Sequence, residues 1–424
     1  MIIKNIHIEN FKGIVSKDFS FNNQFTVLIG VNGTGKTSIL DAISLAIGTI
    51  LNKTGASFGY RGTKSRPLFE DEIRKVIVSQ NNIEYTKVVL SGEFIHDNQT
   101  LKWLRQSTNA RNLDTKNANK LTNLGDKFVQ NIQSNTNLPL FVHHTTARLW
   151  GTIYDKSKAG KISSRLDGYY ACLDSRSIQN IFFYWFKTFE DNALKFNKDK
   201  TLYNAFAQAI TSVVPEWNKI HFNWELDDLM GQLNDENWLP LRNLSDGYRS
   251  IVYLTADIAY RAIKLNPHLG ERAVLETEGI VMIDEIDMHL HPKWQRHIVE
   301  DLKRTFPNIQ FIVTTHSPFI VQSLKADEII ILDGEDANED PYTKSIEEVS
   351  ELYMNLVEKR SERFRHYQEV AAKYFDLIEN NKNSENDPET SDLKKTLDKL
   401  ELEFTNDPVY AALMRAERKS ELGI

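Results

Sequence analysis

Thr26-Val27-Leu28-Ile29-Gly30-Val31-Asn32-Gly33-Thr34-Gly35-Lys36-Thr37-Ser38 decides how the rest of this chain is read. The first four residues are the end of a short buried strand, Gly30 to Gly35 breaks it, and Thr37 to Ile50 has helical periodicity. Gly30 to Thr37 fits G-x-x-x-x-G-K-T in the strand, loop, helix setting that this pattern requires. Glycines let successive backbone N–H groups turn inward, and a helix N-terminus adds positive potential, so a chain of phosphates is the expected guest. The expected cradle is Asn32, Gly33, Thr34, Gly35, Lys36, Thr37 and Ser38, with Lys36 on the β and γ phosphates and Thr37 on Mg²⁺. ATP and Mg²⁺ are the expected cofactors.

Three later stretches extend this site. The apolar run Ile280-Val281-Met282-Ile283 ends in Asp284-Glu285, and a buried strand that delivers a carboxylate to the second coordination shell of the ion held by Thr37 explains Asp284. Glu285 is then placed to orient or deprotonate an attacking water, provided the strand is already ending there, because consecutive residues of an extended strand face opposite ways. Asp287 falls in the following loop, near a subunit seam. His316, after the strand-like Phe311-Ile312-Val313-Thr314-Thr315, is a candidate donor to the γ-phosphate. His289, His291 and His297 have spacings that invite a metal assignment, but no cysteine joins them and the nearby carboxylates have other roles. Finally, Leu244-Ser245-Asp246-Gly247-Tyr248-Arg249 opens a helix running to Ile263. The Ser245 hydroxyl and the Gly247 amide offer donors to an anion. One chain's phosphate loop already encloses its own phosphates, so these donors are expected to meet a nucleotide bound by another copy.

At 424 residues with a hydrophobic fraction of 41%, the chain can bury a substantial core. No apolar run reaches the ~20 residues of a membrane-spanning helix. A single cysteine, Cys172, excludes an internal disulfide and fits a cytoplasmic setting. The net charge of −7 excludes a uniformly basic surface, yet Lys102, Arg105, Arg111, Lys116, Lys120, Lys127, Arg148, Lys156, Lys158, Lys161 and Arg165 form a basic island between Leu101 and Leu166. Residues 178–214 read as a core helix through Ile178, Ile181, Phe182, Trp185 and Phe189. Further helices are expected over 347–380 and at the tail, the last capped by Asp407-Pro408. The implied organisation is an ATPase lobe over 1–100, an inserted, mainly helical region over 101–239, the rest of the ATPase core over 240–335 and a helical association region over 336–424.

With these motifs placed, the chain resembles the ABC-ATPase class that includes RecF, Rad50, the SMC proteins and the OLD-family nucleases. Asn10-Phe11-Lys12 looks like that class's N-terminal motif, which implies that Lys12 approaches the nucleotide. The run Asp284-Glu285-Ile286-Asp287-Met288-His289-Leu290-His291-Pro292-Lys293-Trp294-Gln295 is similar to the OLD-like, bacterial-defence branch. The resemblance covers residues 1–95 and 240–335. It implies an α/β fold: an ABC-type ATPase head with a mixed sheet and P-loop core, a helical insertion and a helical C-terminal region. Asp246, Tyr248 and Arg249 depart from the usual signature, which implies slow turnover. For the Gln-loop the candidates are Gln80 and the charged Asp71-Glu72-Ile73-Arg74.

Residues 38–243 show no sustained heptads of the Rad50 or SMC kind, and residues 317–424 lack the acidic strand-end cluster of an appended nuclease. Among compact members the sequence resembles the ATPase subunits of the Septu antiphage system, which act with an HNH-type nuclease subunit. Related ATPases accompany retrons, with a reverse transcriptase and an RNA–DNA hybrid. The resemblance therefore implies an ATPase that forms at least a homodimer, regulates a separate nuclease and reaches nucleic acid directly or through that partner, with no membrane involved. The alternative is a RecF-like DNA-binding ATPase of recombination or repair, motivated by the basic island. A transporter subunit is disfavoured by the Asn-Phe-Lys motif, the His289-Leu290-His291-Pro292 extension and the large insertion.

Overall fold

The computed structural model describes residues 1–54, 66–79, 82–109, 112–114, 116–149, 164–174, 183, 185–190, 200–214, 216–234, 237–335, 337–355, 362–379 and 388–403. They fall into two compact units, Met1–Asn355 and Leu356–Ile424. In chain order the first unit contains strands β1 (Ile2–Phe11), β2 (Ile14–Ser20) and β3 (Phe25–Ile29), helix α1 (Lys36–Leu51), and strands β4 (Lys75–Ser79), β5 (Asn82–Tyr85), β6 (Val89–His96), β7 (Gln99–Asn109) and β8 (Asn112–Leu113). Helix α2 (Asn119–Gln130), strand β9 (Leu140–His144), helix α3 (Thr201–Val213), strands β10 (Trp217–Asn223), β11 (Asp228–Leu233) and β12 (Trp238–Pro240), and helix α4 (Asp246–Leu265) follow. Strand β13 (Gly279–Ile283), helix α5 (Ile298–Thr305), strands β14 (Ile309–Thr314) and β15 (Ile329–Ile331), and helix α6 (Ile346–Leu352) come next, with single helical turns at Ala273–Glu276, just before β13, and at Pro292–Gln295 and Pro318–Val321 between them.

Two sheets frame the site. The core sheet is parallel throughout, in the order β15-β3-β14-β13-β9. Its central strands are continuous apolar runs with every residue buried, Phe-Thr-Val-Leu-Ile in β3 and Gly-Ile-Val-Met-Ile in β13, because both faces are covered. The second sheet, β2-β1-β6-β7-β8, is antiparallel. In β1 the fully buried residues Ile3, Ile6 and Ile8 alternate with more exposed ones after a bulge between Ile3 and Asn5. One side chain joins the two sheets: Gln310 of β14 accepts from Ile3 N at 2.8 Å and donates to Ile3 O at 2.9 Å, as a neighbouring strand would. It also donates to Asn22 O at 2.8 Å. Almost every residue of α1 is buried, which explains its lack of a polar face.

Asn22 Oδ1 accepts from Gln24 N and Phe25 N and turns the chain between β2 and β3. Two expectations change. The inserted region 101–239 is not mainly helical in its described residues. It contributes most of β7 to the antiparallel sheet, β9 to the core sheet, and a separate antiparallel sheet β10-β11-β12. Residues 337–355, including α6, group with the first unit, so the boundary lies at 355/356 and not at 336.

The basic island also divides. Arg105 is 7% exposed and donates to Leu45 O and Leu113 O, while Arg165 donates to the carbonyls of Leu265, Ile132, Ser134 and Thr136. Both arginines brace the fold, Arg105 buried and Arg165 half-buried. Lys102 pairs with Glu93 at 3.0 Å, and Lys116, Lys120 and Lys127 are exposed. Arg111, Lys156, Lys158 and Lys161 lie outside the described residues, as does the side chain of Arg148. Trp185 packs against Phe206 and Tyr260, and Phe186 against Phe206 and Tyr203, consistent with a core helix there. Ile178, Ile181, Phe182 and Asp407-Pro408 fall outside the description.

The second unit shows helices α7 (Glu362–Glu379) and α8 (Pro388–Glu403). Tyr367, Val370, Ala371 and Tyr374 of α7 bury against Leu393, Leu397 and Leu400 of α8, a small apolar seam at helical spacing.

Candidate nucleotide-binding site

The C-terminal edge of the core sheet is where the candidate residues meet, as expected for open parallel sheets. At the end of β3 the loop turns through Gly33 (φ 89°) and Gly35 (φ 100°), the latter capping α1. These left-handed angles suit glycine and aim the loop amides inward. Lys36 folds back over the loop and donates to Gly30 O at 2.6 Å and Val31 O at 3.1 Å. Burial pulls its pKa down, and the carboxylates of Asp333, Asp284, Glu285 and Asp287 counter that pull, Asp333 most strongly.

Thr37 Oγ1 donates to Asp284 Oδ2 at 2.9 Å, so a phosphate-loop hydroxyl and a strand-end carboxylate stand together, two hard oxygens suited to magnesium. The other oxygen, Oδ1, accepts from Thr314 Oγ1 at 2.7 Å, and the same hydroxyl accepts from Glu285 N at 2.7 Å. Thr314 therefore ties β14 to the turn that ends β13. Glu285 has φ 50°, so the strand does end there and its carboxylate leaves the sheet's alternation. Asp287 Oδ1 accepts from Thr315 Oγ1 at 2.6 Å and from His316 N at 3.4 Å, which fixes this loop to the segment carrying the exposed His316. Gln295 completes the fastening: its amide donates to Leu290 O at 2.9 Å and its Oε1 accepts from Ser317 Oγ at 2.7 Å.

Ser245 is the N-cap of α4, is exposed, and makes no capping bond with its side chain. Asp246 pairs with Arg249 one turn along, and this partner holds its carboxyl below the usual range. Gly247 packs onto the Asp287–His291 loop of its own chain, where a Cβ would stand 2.6 Å from His289 O. His289 has φ 65° at that contact. Tyr248 meets the ring of Trp294 edge-on at 4.7 Å.

Lys12, with φ 49°, is engaged by acidic partners: Asp41 of α1 at 2.5 Å and Glu72 at 3.7 Å. Arg66 bridges the same two carboxylates at 2.9 and 2.6 Å. Burial would raise the Asp41 pKa, but Arg66, His143 and Lys12 bring it below the ordinary carboxylate value. Glu72 of the Asp71–Arg74 stretch thus belongs to this cluster, while Gln80 lies outside the described residues. The strand beside β13 is β9, with Ile283 opposite His144 and Asp284 N donating to His144 O at 2.8 Å. Thr145 is consequently the next residue in register with Asp284. The sequence motifs include Thr314 and Gln295 without giving them a role, and they miss β9 and Asp333 altogether. The only local signal was the apolar Leu140-Phe141-Val142 run, and the hydroxyl and carboxylate partners carry none.

A P-loop strand separated from the Asp284 strand by the β14 strand, together with a helix opening at Ser245, defines an ABC-type ATPase head. Residues 25–322 match the family model described as "AAA domain, putative AbiEii toxin, Type IV TA system", and the chain belongs to that family. It is 28% identical over 399 residues to the retron Ec83 probable ATPase of Escherichia coli, covering 78% of this chain and 71% of that protein. It is 28% identical over 386 residues to the Septu protein PtuA of Bacillus thuringiensis, covering 85% and 86%. The SMC head bound to the C-winged helix domain of ScpA aligns with a TM-score of 0.46 and 16% identity, over 80% of this chain and 96% of that one. The chain is an OLD-like ATPase-family member resembling the Septu and retron ATPases. No helix among the described residues is long and apolar enough to cross a membrane.

Proposed function

We propose that this chain is a magnesium-dependent ATPase whose sites are completed across a homodimer and whose nucleotide state regulates a separate nuclease in an antiphage defence complex. The observation that carries the reading is the Thr37–Asp284–Thr314–Glu285 hydrogen-bond chain at the sheet edge. The amides of Asn32 to Ser38 and the Lys36 ammonium would hold the triphosphate, and Thr37 with Asp284 would hold magnesium, which neutralises phosphate charge when bound. Glu285, two residues beyond the end of β13, takes the proton of the attacking water. His316, backed by the Asp287 carboxylate at its amide, donates to the γ-phosphate.

Ser245 supports the intersubunit part of the reading: it is exposed, and its hydroxyl is not used to cap its own helix. With the Gly247 amide it meets the γ-phosphate held by a second copy. Cutting of nucleic acid is assigned to an HNH-type nuclease subunit, accompanied in a retron setting by a reverse transcriptase and an RNA–DNA hybrid. Cytoplasmic residence follows from that role.

Complementation tests the composite site directly. Lys36→Ala and Ser245→Arg proteins are each expected to be inactive as ATPases. Mixed, they form heterodimers in which the Ser245→Arg protomer's phosphate loop faces an intact Ser245, so activity returns in part. No recovery from a mixture shown to exchange subunits would refute the composite site. Co-purification with a nuclease encoded beside this chain tests the partner, and recovery of the chain alone from such a lysate counts against it.

A further inference from the structure

We propose that Asp333 is a positioning residue of the nucleotide site, whose carboxylate fixes the first turn of the phosphate loop while its charge restrains triphosphate binding. The inference rests on reading residues 30–37 as a triphosphate site.

Strands β15 and β3 are parallel neighbours that leave the sheet together, with Ile331 opposite Ile29 and Leu332 N donating to Ile29 O at 3.0 Å. The chain beyond each strand end therefore emerges at the same edge. There Val31 N donates to Asp333 Oδ2 at 2.7 Å. The second oxygen lies over Gly30, where a Cβ would be 3.0 Å from Asp333 Oδ1 and 2.8 Å from Thr34 Oγ1. Lys17 of β2 donates to Leu332 O at 3.1 Å and braces the segment from the other sheet.

Lys36 acts on the same two loop residues, through the carbonyls of Gly30 and Val31. The first turn is thus gripped by a carboxylate at an amide and by an ammonium at two carbonyls. Opposite charges beside one turn stabilise it and each other, which agrees with Asp333 being the strongest of the carboxylates that support the charged form of Lys36. When a triphosphate enters, Lys36 must exchange these carbonyls for phosphate oxygens. Asp333 then remains as an anion beside an anionic guest.

The hydrogen bond and the charge therefore act in opposite directions. The bond preorganises the loop and favours binding, whereas the charge opposes it through Coulomb repulsion that salt screens. Asparagine keeps an acceptor for Val31 N and removes the charge; alanine removes both. A side chain that merely stabilised the loop would not be improved by losing its charge.

The test measures dissociation constants of a fluorescent ATP analogue and its ADP counterpart, with Mg²⁺, for the wild type, D333N, D333A and K36A. At low salt D333N is expected to bind the ATP analogue about threefold or more tightly than wild type, with a smaller gain for ADP, and the gain should shrink at ~0.5 M salt. D333A should bind more weakly than D333N. Equal or weaker binding by D333N at low salt, or an equal gain for both nucleotides, overturns the inference. Thermal melting identifies any variant that fails to fold, and the nearly isosteric D333N decides the matter if D333A does not. Wild-type binding that K36A does not weaken would remove the triphosphate reading itself, and this inference with it. Binding lost in K36A but unimproved in D333N removes only the role of Asp333.

Discussion

Thr37 and Asp284 stand 247 residues apart in sequence and share a 2.9 Å hydrogen bond. The pairing places two oxygens of the kind that suit magnesium side by side, and Thr314 holds the remaining carboxylate oxygen so that the group cannot rotate away. Asp284→Asn keeps the size and removes the anion. We expect affinity for ATP in the presence of Mg²⁺ to fall about tenfold or more, with affinity in EDTA little changed. Titrating a fluorescent ATP analogue under both conditions checks this, and an equal loss with and without metal would assign Asp284 to the loop's structure instead.

Gly247 has no room for a side chain against His289 O. Gly247→Ala must push the start of α4 off the loop that carries Asp287, at a cost of about 1–3 kcal/mol typical of overpacking. Chemical denaturation should show that loss. Nucleotide binding by the single protomer should persist while ATP-dependent association, followed by light scattering, weakens. Association at wild-type strength would mean that the helix start does not contribute to the subunit contact.

Arg165 reads as nucleic-acid binding from its basic neighbourhood, but its guanidinium is occupied by four backbone carbonyls and Asn266 Oδ1. Arg165→Ala leaves those acceptors without their donor and should destabilise the fold by about 2–4 kcal/mol. Urea unfolding measures this. DNA retention on a column at low salt should not change for protein that remains folded; a selective loss of DNA retention without loss of stability would restore the interface reading.

Stability should decline on mild acidification. Burial holds the His143 pKa below the ordinary 6.5, and its Nε2 meets no hydrogen-bond partner among the described residues. Below pH 6.5 the unfolded chain therefore binds a proton that the folded chain does not, so stability falls as pH drops from 6.5 toward the lower folded value. Asp41 works in the same direction further down. Its pKa lies below 3.8, chiefly through Arg66 among the neighbouring charges, so its contribution is present above 3.8 and is lost as pH falls below it. Urea unfolding at several pH values between 7.5 and 5 should give a shallower slope for His143→Gln than for wild type. Identical slopes would exclude His143 as a source of the dependence.

The phosphate loop, α1, and the strands ending at Ile29 and Ile283 could be read from sequence because each depends on local facts: glycine spacing, apolar runs and a cation after a glycine. Strand β9 could not. Leu140-Phe141-Val142-His143-His144 sits in polar surroundings, and only parallel pairing with β13 across more than a hundred residues makes it a core strand. For the same reason His144, whose carbonyl accepts from Asp284 N, carried no signal in the sequence. Arg105 and Arg165 were misplaced because composition registers charge but not the carbonyls that satisfy it. Asp333 was missed because its meaning comes from β15 ending beside β3, a matter of sheet order.

Gln310 sets a measure for the whole first strand. Because its amide satisfies both backbone groups of Ile3, sliding β1 by one residue would unpair that contact and turn Ile6 and Ile8 outward. The far end of the same strand carries Asn10 and leads directly into Lys12, which reaches the phosphate-loop helix at Asp41. A single glutamine at the foot of the core sheet thus acts as the zero mark of a ruler, and the reach of Lys12 is read along it.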